Sequence, residues 1–213
     1  MIGPVLDHPA LDHLVLATPD LDATVADLAG RGLVTSPGGA HDGLGTRNAL
    51  ADLGDGAYLE VIGPDPQQPE PTQPRPFGID GLRAPRLVAW AVRVADIDAA
   101  VAAARSHGVD PGAARDMARL RGDGVRLEWR LTPPPGTVPE VVPFLIAWGA
   151  TEHPSRSAAR GARLEEFTAA HPDPAGTRRR LAAVGAPDVT VAPGPAPALR
   201  ALVATPTGTV ELA

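Results

Sequence analysis

The chain has 213 residues, is 44% hydrophobic and 3% aromatic, and carries a formal net charge of −6. This supports a core packed largely by small apolar side chains and argues against a phosphate-tracking nucleic-acid surface. All 19 basic residues are Arg and Cys is absent. Schiff-base chemistry, a P-loop lysine, thiol nucleophiles, disulfides and thiolate metal sites are therefore excluded, and any metal must be held by His, Asp or Glu.

The first predicted strand runs from Leu11 to Ala17, followed by Pro19-Asp20 and a helix ending at Gly32. The same layout returns with a strand over 87–94, Asp96 and a helix to Gly108, and again with 164–169, Pro172-Asp173 and a helix to Gly185. Asp and Gly lie 12 positions apart each time (20 to 32, 96 to 108, 173 to 185), the signature of an N-cap carboxylate, about three turns of helix and a C′ glycine. Short β-prone runs follow the helices, at 33–35, 45–51 and 58–62 in the first unit and at 189–192, 198–204 and 209–212 in the third. The Pro-rich residues 65–86 read as an extended, solvated linker. A second proline cluster (Pro133, Pro134, Pro135, Pro139) leads to an extra strand over 144–148, and a polar loop carries His153. The organisation expected is a first βαβββ module at 10–64, the linker at 65–86, a second module with an extra strand at 87–149, a loop at 150–162 and a third βαβββ-like module at 163–213.

One motif recurs inside this layout. Gly54-Asp55-Gly56-Ala57-Tyr58-Leu59-Glu60 returns as Gly122-Asp123-Gly124-Val125-Arg126-Leu127-Glu128, with a looser echo at Thr207-Gly208-Thr209-Val210-Glu211-Leu212. Each places one carboxylate inside a strand, where it needs water or a partner. A repeated one points to a site, whereas a single one is more simply a solvated sheet face.

The βαβββ pattern, with Leu11-Asp12-His13-Leu14-Val15, Gly38-Gly39-Ala40-His41, Gly45-Thr46-Arg47-Asn48, Tyr58-Leu59-Glu60-Val61-Ile62-Gly63 and Pro143-Phe144-Leu145-Ile146-Ala147-Trp148, resembles the glyoxalase-like domain proteins of the vicinal oxygen chelate superfamily, which also holds glyoxalase I, extradiol dioxygenases and bleomycin-resistance proteins. The resemblance implies an α+β fold of repeated βαβββ modules whose curved mixed sheets form a cleft. It implies a divalent metal (Zn, Ni, Mn or Fe) on the cleft floor, held by the first and last strands of the paired modules: His13, Glu60, Glu128 and, in the third module, Glu211. The helix register aligns His13 with Ala89, which has no donor, so a site without metal stays open beside it. A homodimer is the assembly implied.

The remaining candidates follow from residue chemistry. Glu60 and His41 are the expected acid–base residues, with His41 on a Gly-rich loop. Asn48, Trp90, Trp148 and His153 are expected around the ligand, although core packing is the ordinary place for a Trp. No Gly-x-Ser-x-Gly elbow or His-Glu-x-x-His motif occurs. The function expected is a metal-dependent, glyoxalase-like enzyme of lyase or isomerase type acting on a small molecule, with dioxygenation ranked last. The alternative is a metal-free protein that sequesters a small hydrophobic ligand, as the bleomycin-resistance members do. No nucleic-acid or membrane partner is expected. With no leader pattern at Met1-Ile2-Gly3-Pro4 and no apolar run of about 18 residues, a cytoplasmic protein is the default, and the Arg-for-Lys bias fits a GC-rich bacterial genome.

Overall fold

The computed structural model describes residues 10–120, 124–134, 139–186 and 188–213. The Asp…Gly spacing becomes three helices, α1 (Leu21–Gly30), α2 (Ile97–Ser106) and α3 (Pro174–Ala183). Asp20, Asp96 and Asp173 each accept a hydrogen bond from the backbone N–H three residues on, at 2.9–3.0 Å, which satisfies a donor the helix itself leaves unpaired. Gly32, Gly108 and Gly185 lie just beyond the helix ends with φ of 85°, 78° and 67°, the left-handed conformation that glycine adopts without cost.

Eight strands form one sheet: β1 (Ala10–Ala17), β2 (Ser36–His41), β3 (Thr46–Gly54), β4 (Ala57–Pro64), β5 (Arg86–Arg93), β6 (Arg115–Leu120), β7 (Arg126–Leu131) and β8 (Phe144–Ala147). Their order is β2-β3-β4-β1-β5-β8-β7-β6. β1 pairs in parallel with β4 and β5 with β8, while β1 and β5 meet antiparallel at the centre. The two halves are thus related by an approximate twofold axis. Because His13 pairs with Ala91 and Val15 with Ala89, the axis exchanges His13 with Ala89 and Val15 with Ala91. Val15 faces Glu60 and Ala91 faces Phe144, so Glu60 exchanges with Phe144. The sheet is strongly curved, and its two edges are tied where the Arg119 guanidinium donates to the Gly38 carbonyl.

Alternation along the central strands sorts side chains to two faces. Leu14, Leu16, Leu59, Val61, Trp90, Val92 and Leu145 point outward into a core shared with the helices. Val15, Ala17, Tyr58, Ile62, Ala89, Ala91, Phe144 and Ile146 point into the concave side. The last four strands, β9 (Arg163–His171), β10 (Thr190–Pro193), β11 (Ala198–Thr205) and β12 (Gly208–Leu212), form a separate sheet in the order β10-β9-β11-β12. Its apolar residues Ala169, Leu199, Ala201, Val203 and Val210 join the outer core, and Phe167 packs edge-on against Trp90 at 5.1 Å. The third segment repeats the order of elements but not of strands: its first strand lies between the second and third, whereas β1 lies beside β4. Turn and cap signals specify elements, and strand order is decided by which faces get buried.

Several expected boundaries move. The run 33–35 is not a strand; β2 begins at Ser36 and carries His41 at its end, so His41 sits on a strand and not on a loop. The strand at 144–148 is not an extra one: β8 is the fourth strand of the second half, and β7 with Glu128 is the third. Gly54 ends β3 and Asp55-Gly56 form a two-residue hairpin into β4, both with positive φ, as the twist of paired strands favours. Of the matching motif, Gly122 and Asp123 lie outside the described residues, and Gly124 precedes β7. The first copy therefore leads into the fourth strand of its half, and the second into the third strand of the other. Nor is 65–86 only a solvated linker, since Arg75 donates to the Gly45 carbonyl at 2.9 Å and buried Phe77 and Ile79 belong to the concave cluster.

Trp90 is 1% exposed, faces the outer core and donates its indole N–H to the Val141 carbonyl at 2.7 Å. It does not reach the concave side, which corrects its expected place beside a ligand. Trp90→Ala is expected to cost about 3–5 kcal/mol in denaturant unfolding while leaving ligand affinity of the folded protein unchanged.

Candidate functional site

The concave side encloses a cavity of about 220 Å³, floored by His13, Tyr58 and Glu60 from β1 and β4 and walled by Phe77, Trp129, Phe144 and Trp148. His13 reaches it by sharing the face of Val15 and Ala17, and Asp12 joins it because β1 bulges. Leu11 pairs with Val92 and His13 with Ala91, so Asp12 has no partner on β5. Successive strand residues ordinarily point to opposite faces; a bulge re-aims them. The Asp12 carboxylate thereby meets His13 Nδ1 at 2.6 Å. Its other oxygen accepts from Trp148 Nε1 at 3.0 Å and meets His153 Nε2 at 2.9 Å.

Asp12 is 0% exposed. Burial opposes its ionisation, but the hydrogen bonds and charges of His13 and His153 outweigh burial together and hold the carboxyl far below the usual carboxylate range. An ionised Asp12 fixes the His13 tautomer: Nδ1 donates, and Nε2 is presented to the cavity. There it faces Glu60 Oε2 at 3.7 Å. Tyr58 stacks under the imidazole, with ring centres 4.7 Å apart and planes at 22°. Burial, followed by the nearby Asp12 and Glu60 charges, pushes the Tyr58 phenol well above its ordinary value, so it keeps its proton.

The other Glu60 oxygen accepts from Asn48 Nδ2 at 2.6 Å. The same amide lies 3.4 Å from His41 Nε2, and His41 Nδ1 lies 3.1 Å from Thr46 Oγ1. Burial lowers the His41 pKa, so the ring is neutral near pH 7. The consistent pattern is Nδ1–H to Thr46, with Nε2 accepting from Asn48. Gly38 allows this arrangement, because a Cβ there would lie 2.1 Å from Asn48 Oδ1.

The structure therefore brings together His13, His41, Asn48, Glu60 and Trp148, and puts His153 behind them as a support of Asp12 and not on the cavity wall. It does not bring in Glu128 or Glu211. Glu128 projects from β7 with its side chain 66% exposed and pairs with Arg126 at 2.8 Å. Glu211 lies on β12 in the separate sheet and pairs with Arg200 at 2.8 Å. Both are solvated strand carboxylates. Asp12, Tyr58, Phe77, Trp129 and Phe144 are site residues that sequence reasoning misses; the signal for Asp12 is a charge within the apolar strand 11–17, next to His13.

A model of the glyoxalase-like domain matches residues 11–185. The chain belongs to the glyoxalase-like domain family. This places it in the vicinal oxygen chelate superfamily, and its curved mixed sheets are those of that fold. A hypothetical protein from Staphylococcus aureus, known from its crystal structure, shares the fold at 15% identity and a TM-score of 0.62, over 96% of this chain and 85% of that one. Methylmalonyl-CoA epimerase from Mycobacterium tuberculosis is similar at 24% identity and a TM-score of 0.41, over 65% of this chain and 87% of that one. A Streptomyces coelicolor methylmalonyl-CoA epimerase variant in complex with 2-nitronate-propionyl-CoA is similar at 23% identity and 0.42, over 67% and 98%. No curated protein matches the chain. Among the described residues no helix is long and apolar enough to cross a membrane.

The donor set does not fit the divalent metal that the resemblance implies. Of the positions exchanged by the twofold axis, the first half supplies His13 and Glu60, and the second supplies Ala89 and Phe144. The Phe144 ring meets His13 edge-on at 5.4 Å. No group of three or more His, Asp or Glu among the described residues is disposed to hold an ion, and Glu128 and Glu211 are elsewhere.

Two outcomes follow. Folding keeps Asp12 ionised at pH values where the unfolded chain protonates it. Its contribution is thus fully present above about pH 4 and fades as pH falls further. Asp12→Asn is expected to cost about 3 kcal/mol at pH 7 and to flatten the loss of stability below pH 4, read by denaturant melts across pH. His41 has the opposite proton balance to a paired histidine: the unfolded chain binds its proton more readily, so stability declines as pH drops through about 6.5. His41→Gln is expected to shrink that decline in the same melts.

Proposed function

We propose that the protein is an enzyme of lyase or isomerase type that moves a proton on a small oxygenated molecule without a resident metal, with His13 and Glu60 as acid–base residues. The observation that carries this reading is the oriented His13: a buried, ionised Asp12 on Nδ1 leaves Nε2 facing Glu60 across 3.7 Å inside an apolar cavity. A proton on a carbon next to a carbonyl passes to Nε2, and the electron pair it leaves moves to the carbonyl oxygen. Tyr58, which keeps its phenolic proton, is suited to donate a hydrogen bond to that oxygen. The proton returns from His13 Nε2 to the same carbon, directly or after passing to the Glu60 carboxylate across from it, as the electron pair returns from oxygen, so atoms and charge balance. Asn48 holds Glu60 as a positioning residue.

The test is NMR-detected exchange of α-protons for solvent deuterium in a panel of hydroxy-ketones and thiol adducts of 2-oxo-aldehydes. Wild-type protein is expected to catalyse exchange after dialysis against a chelator. Glu60→Gln and His13→Gln are each expected to slow it by about 10²–10⁴-fold. Exchange that is lost on chelation and restored by an added metal would overturn the reading.

A second reading is favoured by the apolar wall of Phe77, Trp129, Phe144 and Trp148, namely sequestration of a small ligand without turnover. It predicts ligand binding that survives both substitutions, with no exchange in any member of the panel.

A further inference from the structure

One aromatic wall of the cavity is not built on the sheet. Trp129 and Phe144 stand on β7 and β8, and Trp148 directly follows β8, whereas Phe77 is carried by the segment between β4 and β5. Phe77 and Gly78 are consecutive left-handed residues, with φ of 59° and 67°. Glycine takes that conformation freely, but a bulky aromatic residue takes it only where its surroundings enforce it. Two sets of contacts do so. Phe77 is buried against Phe144, with ring centres 6.2 Å apart, and Ile79 is buried beside it. Just before them, Arg75 ties the segment down. Its Nε donates to the Gly45 carbonyl at 2.9 Å, its backbone N–H and Nη1 donate to the two Asp80 carboxylate oxygens at 2.9 and 2.7 Å, and Nη2 donates to Glu70 at 2.9 Å. Gly45 leaves room for this tie, because a Cβ there would lie 2.7 Å from Pro71 Cδ. Gln68 Nε2 adds a bond to the Thr46 carbonyl at 3.0 Å. These ties are polar, and the Glu70 and Asp80 side chains are 84% and 43% exposed, so water can replace them at little cost.

We infer that residues 66–82 form a strap that opens to admit a ligand and closes over it, with Phe77 as the residue that completes the wall and limits the size of what is enclosed. Among the described residues the backbone–backbone bonds of the strap are local, Gln68 to Asp65 and Leu82 to Ile79. Opening therefore breaks no strand pairing. It exposes Phe77 and Ile79 and releases the left-handed backbone at Phe77. The strain lowers the cost of opening, and the buried ring holds the strap shut. Closed, the cavity is about 220 Å³, and Phe77 is the wall residue that can withdraw without disturbing the sheet. Entry and size are at issue here, so the inference goes beyond the proposed reaction and holds whether or not a proton moves at His13.

The experiment is hydrogen–deuterium exchange read by mass spectrometry, beside limited cleavage by chymotrypsin, which needs Phe77 swung free of the wall. In the wild-type protein, peptides covering 76–82 are expected to exchange about tenfold or more faster than those of β1 and β5, and the first cut is expected after Phe77. Arg75→Gln is expected to speed both by about tenfold while β1 and β5 keep their protection. Phe77→Ala keeps the backbone strain without the ring, and Phe77→Gly removes both, so the Ala variant is expected to exchange faster over 76–82 than the Gly variant. For size, equilibrium dialysis compares acetophenone with 2-acetonaphthone, neutral ketones one fused ring apart. The larger ketone is expected to gain severalfold over the smaller in Phe77→Gly, with Phe77→Leu carrying this test where the Gly variant does not fold. Exchange over 76–82 at the rate of β1 and β5, or an Arg75→Gln effect that is absent or spread equally over the sheet, would overturn the strap. An unchanged ketone ratio, or no binding of either ketone, would overturn the size limit.

Discussion

A carboxylate without exposed surface, placed near the centre of an eight-stranded sheet, is the constraint on which the site depends. Isolated, a buried charge of this kind would be strongly unfavourable. Asp12 persists because groups from three places converge on it: the neighbouring imidazole, the Trp148 indole N–H at the end of β8 and His153 from the following loop. The bulge in β1 makes that convergence possible, and the hydrogen bonds in turn keep the bulge from relaxing into regular pairing. The same carboxylate links the two halves, because Trp148 closes the second, with His153 in the loop after it, while Asp12 opens the first.

The near-twofold sheet makes its departures from symmetry informative. Backbone pairing at the centre is equivalent in both halves, but His13 and Glu60 on one side face Ala89 and Phe144 on the other. An ion coordinated across the axis needs donors from both sides. Here one side presents a ring and a methyl group, whose contribution is packing and the exclusion of water. Excluding water strengthens every electrostatic interaction left inside, including the one between the oriented imidazole and Glu60. The asymmetry that weakens the case for a metal therefore strengthens the case for proton transfer between side chains.

The helices were legible in the sequence because their signals are local. Asp20, Asp96 and Asp173 cap within four residues, and Gly32, Gly108 and Gly185 stop the helices about three turns later. His13, His41, Asn48 and Glu60 were legible as candidates because polar residues inside apolar strands need an explanation. What failed was inference across distance. Turn chemistry such as Gly-Asp-Gly announces a strand but not which strand, so the motif points Glu128 to a last strand when it lies on the one before. Trp90 gave no hint of its face, because one residue of register decides between core and cleft. Asp12 is hidden for the same reason: in a regular strand it would point away from His13, and only a bulge joins them. The strand order of the separate four-stranded sheet depends on burial against β5 and Trp90, which no local pattern encodes.

The division of labour between the halves has a consequence for how such a protein can change. Every acid–base group and its direct hydrogen-bond partner on the cavity side falls between Asp12 and Glu60, while the wall comes from Phe77 onward. Substitutions in the later stretch can reshape what fits without disturbing the proton-handling groups, apart from Trp148 and His153, which reach back to Asp12. A lineage built this way has one stretch of chain held by its chemistry and another free to explore new molecules, so relatives that share His13, Asn48 and Glu60 would be expected to differ most at positions 77, 129 and 144.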